Sequence, residues 1–87
     1  MIYKEMTIEI PGGLKSRTAA SFVQVAGRYN SQLLIECGNK KVNAKSIMGV
    51  LSLGLKTGDK LFIIASGDDA NSAVESLGKL LKGETDR

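Results

Sequence analysis

Residues 13 to 19, Gly-Leu-Lys-Ser-Arg-Thr-Ala, hold the first chemistry the sequence offers. Ser16 has the side chain of a helix N-cap, and the start of a helix presents free N–H groups and roughly half a positive charge. That is a ready anion site, with Ser16 and Arg17 as the anion-binding groups. Lys15 and Arg17 raise the local positive potential further. Exposed cations at that end of a helix cost about 0.3–1 kcal/mol each, so the pair points to an anion or an acidic partner. The ordinary alternative is a capping serine with two solvated cations beside it. No residue in the stretch passes a phosphoryl group on readily, because an ammonium group has no lone pair.

A second stretch, Lys45-Ser46-Ile47-Met48-Gly49-Val50-Leu51-Ser52-Leu53, pairs a capping serine with a short apolar run. A helix of about two turns buries only part of its surface. Ile47, Met48 and Leu51 are therefore candidates for an exposed contact patch, with methionine the adaptable member. Phosphorylation of Ser46 would put negative charge at the positive end of the helix, where it is favourable. The ordinary reading is again a cap, over a helical face that the core covers.

Other polar groups offer less. Asp68-Asp69 stand directly before a helical pattern and read as capping residues, not as a metal or acid pair. Glu9 and Glu36 are isolated strand carboxylates, and Cys37 lies in an apolar strand as an inert core residue. With one cysteine, no disulfide forms within the chain and no zinc pattern exists. The chain has no histidine, which removes imidazole nucleophiles, bases and metal ligands together.

The totals fit one domain over residues 1–87, enough for a single two-layer core. Aromatics are scarce, with two Phe, two Tyr and no Trp, so the core must be aliphatic. The net charge is only +3 and the longest basic run is Lys40-Lys41, so nucleic acid is a disfavoured partner. No signal-peptide pattern and no apolar run of membrane-spanning length occurs. The expectation is a soluble cytoplasmic protein without cofactor or metal.

The elements that must position these stretches follow from period and punctuation. Glu5 to Ile10 alternates, with Met6, Ile8 and Ile10 on one face. A helix capped by Ser16 carries Ala19, Phe22, Val23 and Ala26 on one stripe, and Gly27 is its left-handed stop. Gln32 to Cys37 and Lys40 to Asn43 form a hairpin across Gly38-Asn39. A short helix follows Ser46, broken by Gly54 and Thr57-Gly58-Asp59. Lys60 to Ser66 is a strongly apolar central strand. Ala70, Ala73, Val74, Leu77, Leu80 and Leu81 mark the last helix, closed by Gly83. Glu84 to Arg87 forms a polar tail expected to fray. The order β-α-β-β-α-β-α predicts an α+β open-faced sandwich, a four-stranded antiparallel sheet with three helices on one face.

Taken together, the two polar stretches are specific. Gly13 to Ala19 resembles the active-site segment Gly-Leu-His-Ala-Arg-Pro-Ala of HPr, the small phosphocarrier family of the bacterial sugar phosphotransferase system. Lys45 to Leu53 resembles the regulatory-serine segment of the same family. The resemblance covers essentially the whole chain, and the second segment is the stronger match. In HPr the histidine takes a phosphoryl group from enzyme I and passes it to sugar-specific enzyme II components. Lys15 stands at that position here, and the family's Ala and Pro are Ser16 and Thr18. Arg17 matches the arginine that stabilises the phosphohistidine. The resemblance thus implies a non-enzymatic protein in which histidine phosphotransfer is absent.

It is most similar in logic to the Crh (catabolite-repression HPr-like) branch, which lacks the histidine and keeps the serine, although that branch has Gln at the Lys15 position. By resemblance, the bifunctional HPr kinase/phosphorylase would phosphorylate Ser46 with ATP. The phosphoprotein would then bind a CcpA-type transcription regulator as corepressor, through Lys15, Arg17, Ile47, Met48 and Leu51. The chain would be a monomer or a homodimer formed by exchange of the first strand. Two alternatives stand beside this: an HPr-derived protein-binding or anion-binding domain using Lys15 and Arg17 without Ser46 phosphorylation, or a true phosphocarrier with an engineered Lys15. Ser16 and Thr18 argue against the second, since a knockout needs one change only.

Overall fold

Four short segments, one of them the strongly apolar Lys60–Ser66, build one sheet, and helical stripes on three others cover one of its faces. A computed structural model describes residues 1–84. In chain order the elements are β1 (Ile2–Thr7), α1 (Ser16–Ala26), β2 (Gln32–Cys37), β3 (Lys40–Asn43), α2 (Ile47–Ser52), β4 (Lys60–Ser66) and α3 (Ala70–Leu81). All the strand pairs are antiparallel, in the order β1-β4-β2-β3. The predicted α+β sandwich is therefore the observed one. The tail expectation over residues 85–87 lies outside the described residues.

The core sits between the helices and the covered face of the sheet. Leu33, Ile35, Leu61, Ile63 and Ala65 rise from β2 and β4 to meet Ala19, Phe22 and Ala26 of α1 and Ala73, Leu77 and Leu81 of α3. Phe22 is fully buried. Val23, on the predicted stripe, is only half-buried at its edge.

The first strand begins and ends earlier than the alternation suggests, at Ile2 and Thr7. Thr7 faces Lys60, the first residue of β4, so the ladder has no partner residues beyond it. Ile8 to Ile10 stay buried at alternate positions but bond elsewhere. The Ile8 N–H donates to the Asp59 carbonyl at 2.9 Å, and the Glu9 and Ile10 N–H groups donate to Leu81 O at 2.7 and 3.1 Å. The alternation thus reports burial correctly, while pairing partners set the strand boundary.

Three local expectations also change. Gly27 follows α1 with φ −67, a right-handed value open to any residue, so the helix does not stop through a left-handed glycine. Cys37 is half-buried at the margin of the core, its Sγ 3.7 Å from the Lys60 carbonyl. Asp69 is the N-cap of α3 but makes no side-chain bond to that helix. Its carboxylate reaches across the fold instead.

Candidate functional site

The Gly13–Ala19 loop is held by backbone before any charge is considered. Gly13 has φ +70, and a Cβ added there would lie 2.5 Å from Leu55 O and 2.6 Å from Lys56 Cα. Only glycine fits both the left-handed conformation and this approach. The next N–H, of Leu14, donates to that same Leu55 carbonyl at 3.0 Å. The Leu14 side chain is fully buried, so the loop is pinned on both sides of its first peptide.

Lys15, in extended conformation at φ −123 and ψ 174, is the N-cap of α1, and Ser16 is the first helical residue. This corrects the expectation of Ser16 as the cap. The reason is Thr18, whose hydroxyl accepts from the Lys15 N–H at 3.0 Å and donates to Gly13 O at 2.5 Å. That is half of a capping box, set one residue earlier. The other half is missing, because a lysine side chain has no acceptor. The first-turn N–H groups of α1 thus receive no side-chain cap, and no acidic residue lies in that turn. Lys15, Ser16 and Arg17 are all exposed.

Ser46 is a true N-cap. Its Oγ accepts from the Gly49 N–H at 3.1 Å, while its carbonyl takes the Val50 N–H at 2.9 Å. Gly49 has room for little else: an added Cβ would lie 3.3 Å from both the Ser46 Oγ and the Val42 Cβ. Val50 alone among the α2 residues is buried. Ile47, Met48 and Leu51 keep 38%, 72% and 38% of their surface exposed. They form an apolar face beside the serine.

The two stretches meet through an antiparallel pairing of α1 and α2. Leu55 and Lys56, just beyond α2, abut the loop before α1. Lys45, just before α2, donates its Nζ to the Tyr29 carbonyl beyond the end of α1 at 2.7 Å. Lys15 and Arg17 therefore flank the C-terminal end of α2, and Ser46 lies at the other end, about 9 Å along that helix axis. Charge and apolar patch share one side of the molecule without a contact between Ser46 and Lys15.

Four residues here escaped the sequence reading. Thr18 was hidden because a lysine N-cap breaks the usual capping signature, although a threonine at the third helical position was there to find. Gly49 and Lys45 act through neighbours on other elements, which local sequence does not name. Lys56, exposed and against Gly13, adds a third cation beside the loop.

Asp69 does its work at the far end of the helical layer. Its carboxylate accepts from the Asn30 N–H at 2.8 Å, the Ser31 N–H at 2.9 Å and the Ser31 hydroxyl at 2.5 Å. The Ser31 hydroxyl first, and then the Asn30 N–H, hold this carboxyl below its ordinary range. A hydrogen bond of 2.5 Å between the Tyr29 and Ser76 hydroxyls adds to this. The turn after α1 is thus tied to Lys45 ahead of α2, to α3 and to the β4–α3 junction together.

The family model described as the PTS HPr component phosphorylation site matches residues 2–83. The chain belongs to the HPr family. It is 42% identical over 84 residues to the HPr-like protein Crh of Bacillus subtilis (strain 168), covering 97% of this chain and 99% of that one. HPr-C-His from Thermoanaerobacter tengcongensis superposes with a TM-score of 0.92 at 43% identity, over 97% of this chain and 94% of the other. Bacillus subtilis Crh, whose crystal structure is described as a swapped dimer, does so with a TM-score of 0.78 at 40% identity, over the whole of both chains. The chain is thus a Crh-like member of this family of the phosphotransferase system. Among its described residues, no helix is long and apolar enough to cross a membrane.

Proposed function

We propose that this chain is a non-enzymatic regulator switched by phosphorylation of Ser46. HPr kinase/phosphorylase supplies the phosphoryl group from ATP: the Ser46 Oγ bonds to the γ-phosphorus, the bond to ADP breaks, and the hydroxyl proton leaves. The modified chain binds a CcpA-type transcription regulator as corepressor and contacts no nucleic acid itself. The observation that carries this reading is the Ser46 hydroxyl at the start of a helix whose Ile47, Met48 and Leu51 stand exposed beside it.

A phosphate there gains from the positive end of α2 and from acceptance of the Gly49 N–H. The apolar face supplies area to bury, while Lys15 and Arg17 supply charge at the far end of the same helix. Lys15 occupies the position the family gives to its phosphohistidine, and the chain has no histidine anywhere. Phosphoryl transfer from enzyme I is accordingly absent. Incubation with the kinase and ATP adds one phosphate by intact mass, and none to Ser46→Ala. An unmodified wild-type chain overturns the reading.

One observation favours a second reading, an anion-binding or acidic-partner domain without Ser46 phosphorylation. Lys15 as N-cap leaves the first-turn N–H groups of α1 uncapped, with Arg17 beside them. Titration with phosphate or an acidic peptide then moves the amide signals of residues 13–19 in wild type and not in Lys15→Ala. That result, with no kinase labelling, replaces the first reading by the second. As for assembly, β1 is an edge strand, and exchange of it between two copies would rebuild the same β1–β4 ladder in a homodimer. Without exchange the chain is a monomer in this respect.

A further inference from the structure

The helices cover one face of the sheet and leave the other to solvent, and the strand registers state which side chains share that open face. Residues directly opposite in neighbouring strands point to the same side. One cross-strand row is Tyr3, Ile64, Leu34 and Asn43, running from β1 through β4 and β2 to β3. The next row is Glu5, Phe62, Glu36 and Lys41 in the same strand order. On the two middle strands Phe62 and Leu34 are half-buried, and Ile64 beside them is buried at 7% exposure. Tyr3 leans its ring edge on Phe62, with centroids 4.8 Å apart at 78°, and stays 57% exposed. Its hydroxyl donates to the Glu36 carboxylate. Acid stands at the β1 edge, as Glu5, and base at the β3 edge, as Lys41.

We propose that this face is a weak self-association surface, occupied by the same face of a second copy. The argument is its charge pattern under two-fold symmetry. An axis along the strands, midway between β4 and β2, lays β1 of one copy over β3 of the other and β4 over β2. Glu5 then meets Lys41 twice, once in each direction, as an isologous contact requires. Leu34 lies over the β4 position of Ile64, which neighbouring side chains already cover, and Tyr3 meets Asn43. Phe62 lies over the Glu36 side chain, whose carboxylate is already turned to Tyr3. Lys41 sits between Glu36 of its own chain and Glu5 of the other. Sheets pack face to face about 10 Å apart, a gap that facing glutamate and lysine side chains span.

No other alignment of the rows gives this match: an axis perpendicular to the strands would lay Glu5 over the β1 edge of the second copy and Lys41 over its β3 edge. The area sets the strength. Four strands by about six residues make a face of roughly 400 Å², half of the ~800 Å² per partner of a stable complex. The association is therefore transient, to be sought at protein concentrations of about 0.1–10 mM. It is distinct from strand exchange, which swaps β1 across a ladder and forms a separate, slowly converting species. It also rests on none of the chemistry assigned to Ser46 or Lys15.

The test is the amide NMR spectrum of the full chain over a concentration series spanning that range. Signals of Tyr3, Glu5, Leu34, Lys41, Phe62 and Ile64 shift progressively as concentration rises, while those of α1 and α2 do not. Glu5→Lys or Lys41→Glu alone weakens the association about tenfold, and the two changes together restore it to within about twofold. Both side chains are exposed, and far-UV circular dichroism of each variant checks that the fold is kept. Concentration-independent spectra overturn the proposal. So do shifts confined to the α1–α2 side, a second slowly exchanging set of signals alone, or a double reversal that stays as weak as the single ones.

Discussion

At Ser46 one hydroxyl serves both the fold and the proposed switch, and the two can be measured apart. Its acceptance of the Gly49 N–H is an N-cap bond, so Ser46→Ala lowers stability by about 1 kcal/mol in urea unfolding as well as abolishing phosphorylation. Ser46→Asn keeps a cap and should unfold close to wild type, yet it accepts no phosphate. Gly13 is a stricter position. Gly13→Ala meets a left-handed φ and a Cβ 2.5 Å from Leu55 O, which together cost about 2–4 kcal/mol. A Gly13→Ala variant as stable as wild type would show that the loop is not docked on Leu55 and Lys56.

For the elements, the two short connections around α1 behave in opposite ways. Its N-terminus carries a cation as cap and no acidic residue, a configuration that costs stability. Lys15→Asp supplies both a cap acceptor and a favourable charge, and raises stability by about 1 kcal/mol. The same change weakens binding to an acidic partner, so stability and binding move in opposite directions. If both fall, Lys15 has a structural role that its exposure does not reveal.

At the other end of α1, Asp69 holds the turn through Asn30 and Ser31. Its folded pKa lies below the ordinary carboxylate value, chiefly through the Ser31 hydroxyl. The stabilisation is therefore fully present above the unfolded pKa and lost as pH falls through the folded one. Asp69→Asn lowers the urea midpoint at neutral pH and flattens its decline on the acid side. An unchanged acid limb would assign that decline to other carboxyls.

For the molecule as a whole, the antiparallel α1–α2 pair gives one face two unlike halves. Ser46 lies at one end of α2, the apolar patch from Ile47 to Leu51 runs along it, and Lys15, Arg17 and Lys56 gather toward the other end. A partner that reads both must carry acidic and apolar groups spaced by the length of α2. Under the proposed function, enzyme I with phosphoenolpyruvate is expected to leave the chain unlabelled, because the Lys15 ammonium has no lone pair with which to take up a phosphoryl group. Labelling at Lys15 would overturn that assignment. The opposite side of the molecule, the open sheet, offers Glu5 and Lys41 instead, so the proposed switch and the proposed self-association would occupy different faces.

Much of this was legible in the chain alone. The spans of β2, β3 and β4, the last helix, and Ser46 as a cap all follow from period and local side-chain chemistry. The two polar stretches and their spacing were enough to mark the family. These features depend on neighbours within a few residues, which is the range over which sequence speaks directly. What only the tertiary structure decided depends on residues far apart. The end of β1 is set by where β4 begins, and the glycine at 13 by the backbone at Leu55 and Lys56. The N-cap fell to Lys15 and not Ser16 because Thr18 ties the Lys15 N–H to the Gly13 carbonyl, and Asp69 left its own helix for Asn30 and Ser31. In each case the free energy is that of a hydrogen bond or a close contact across the fold, and no local pattern records its partner.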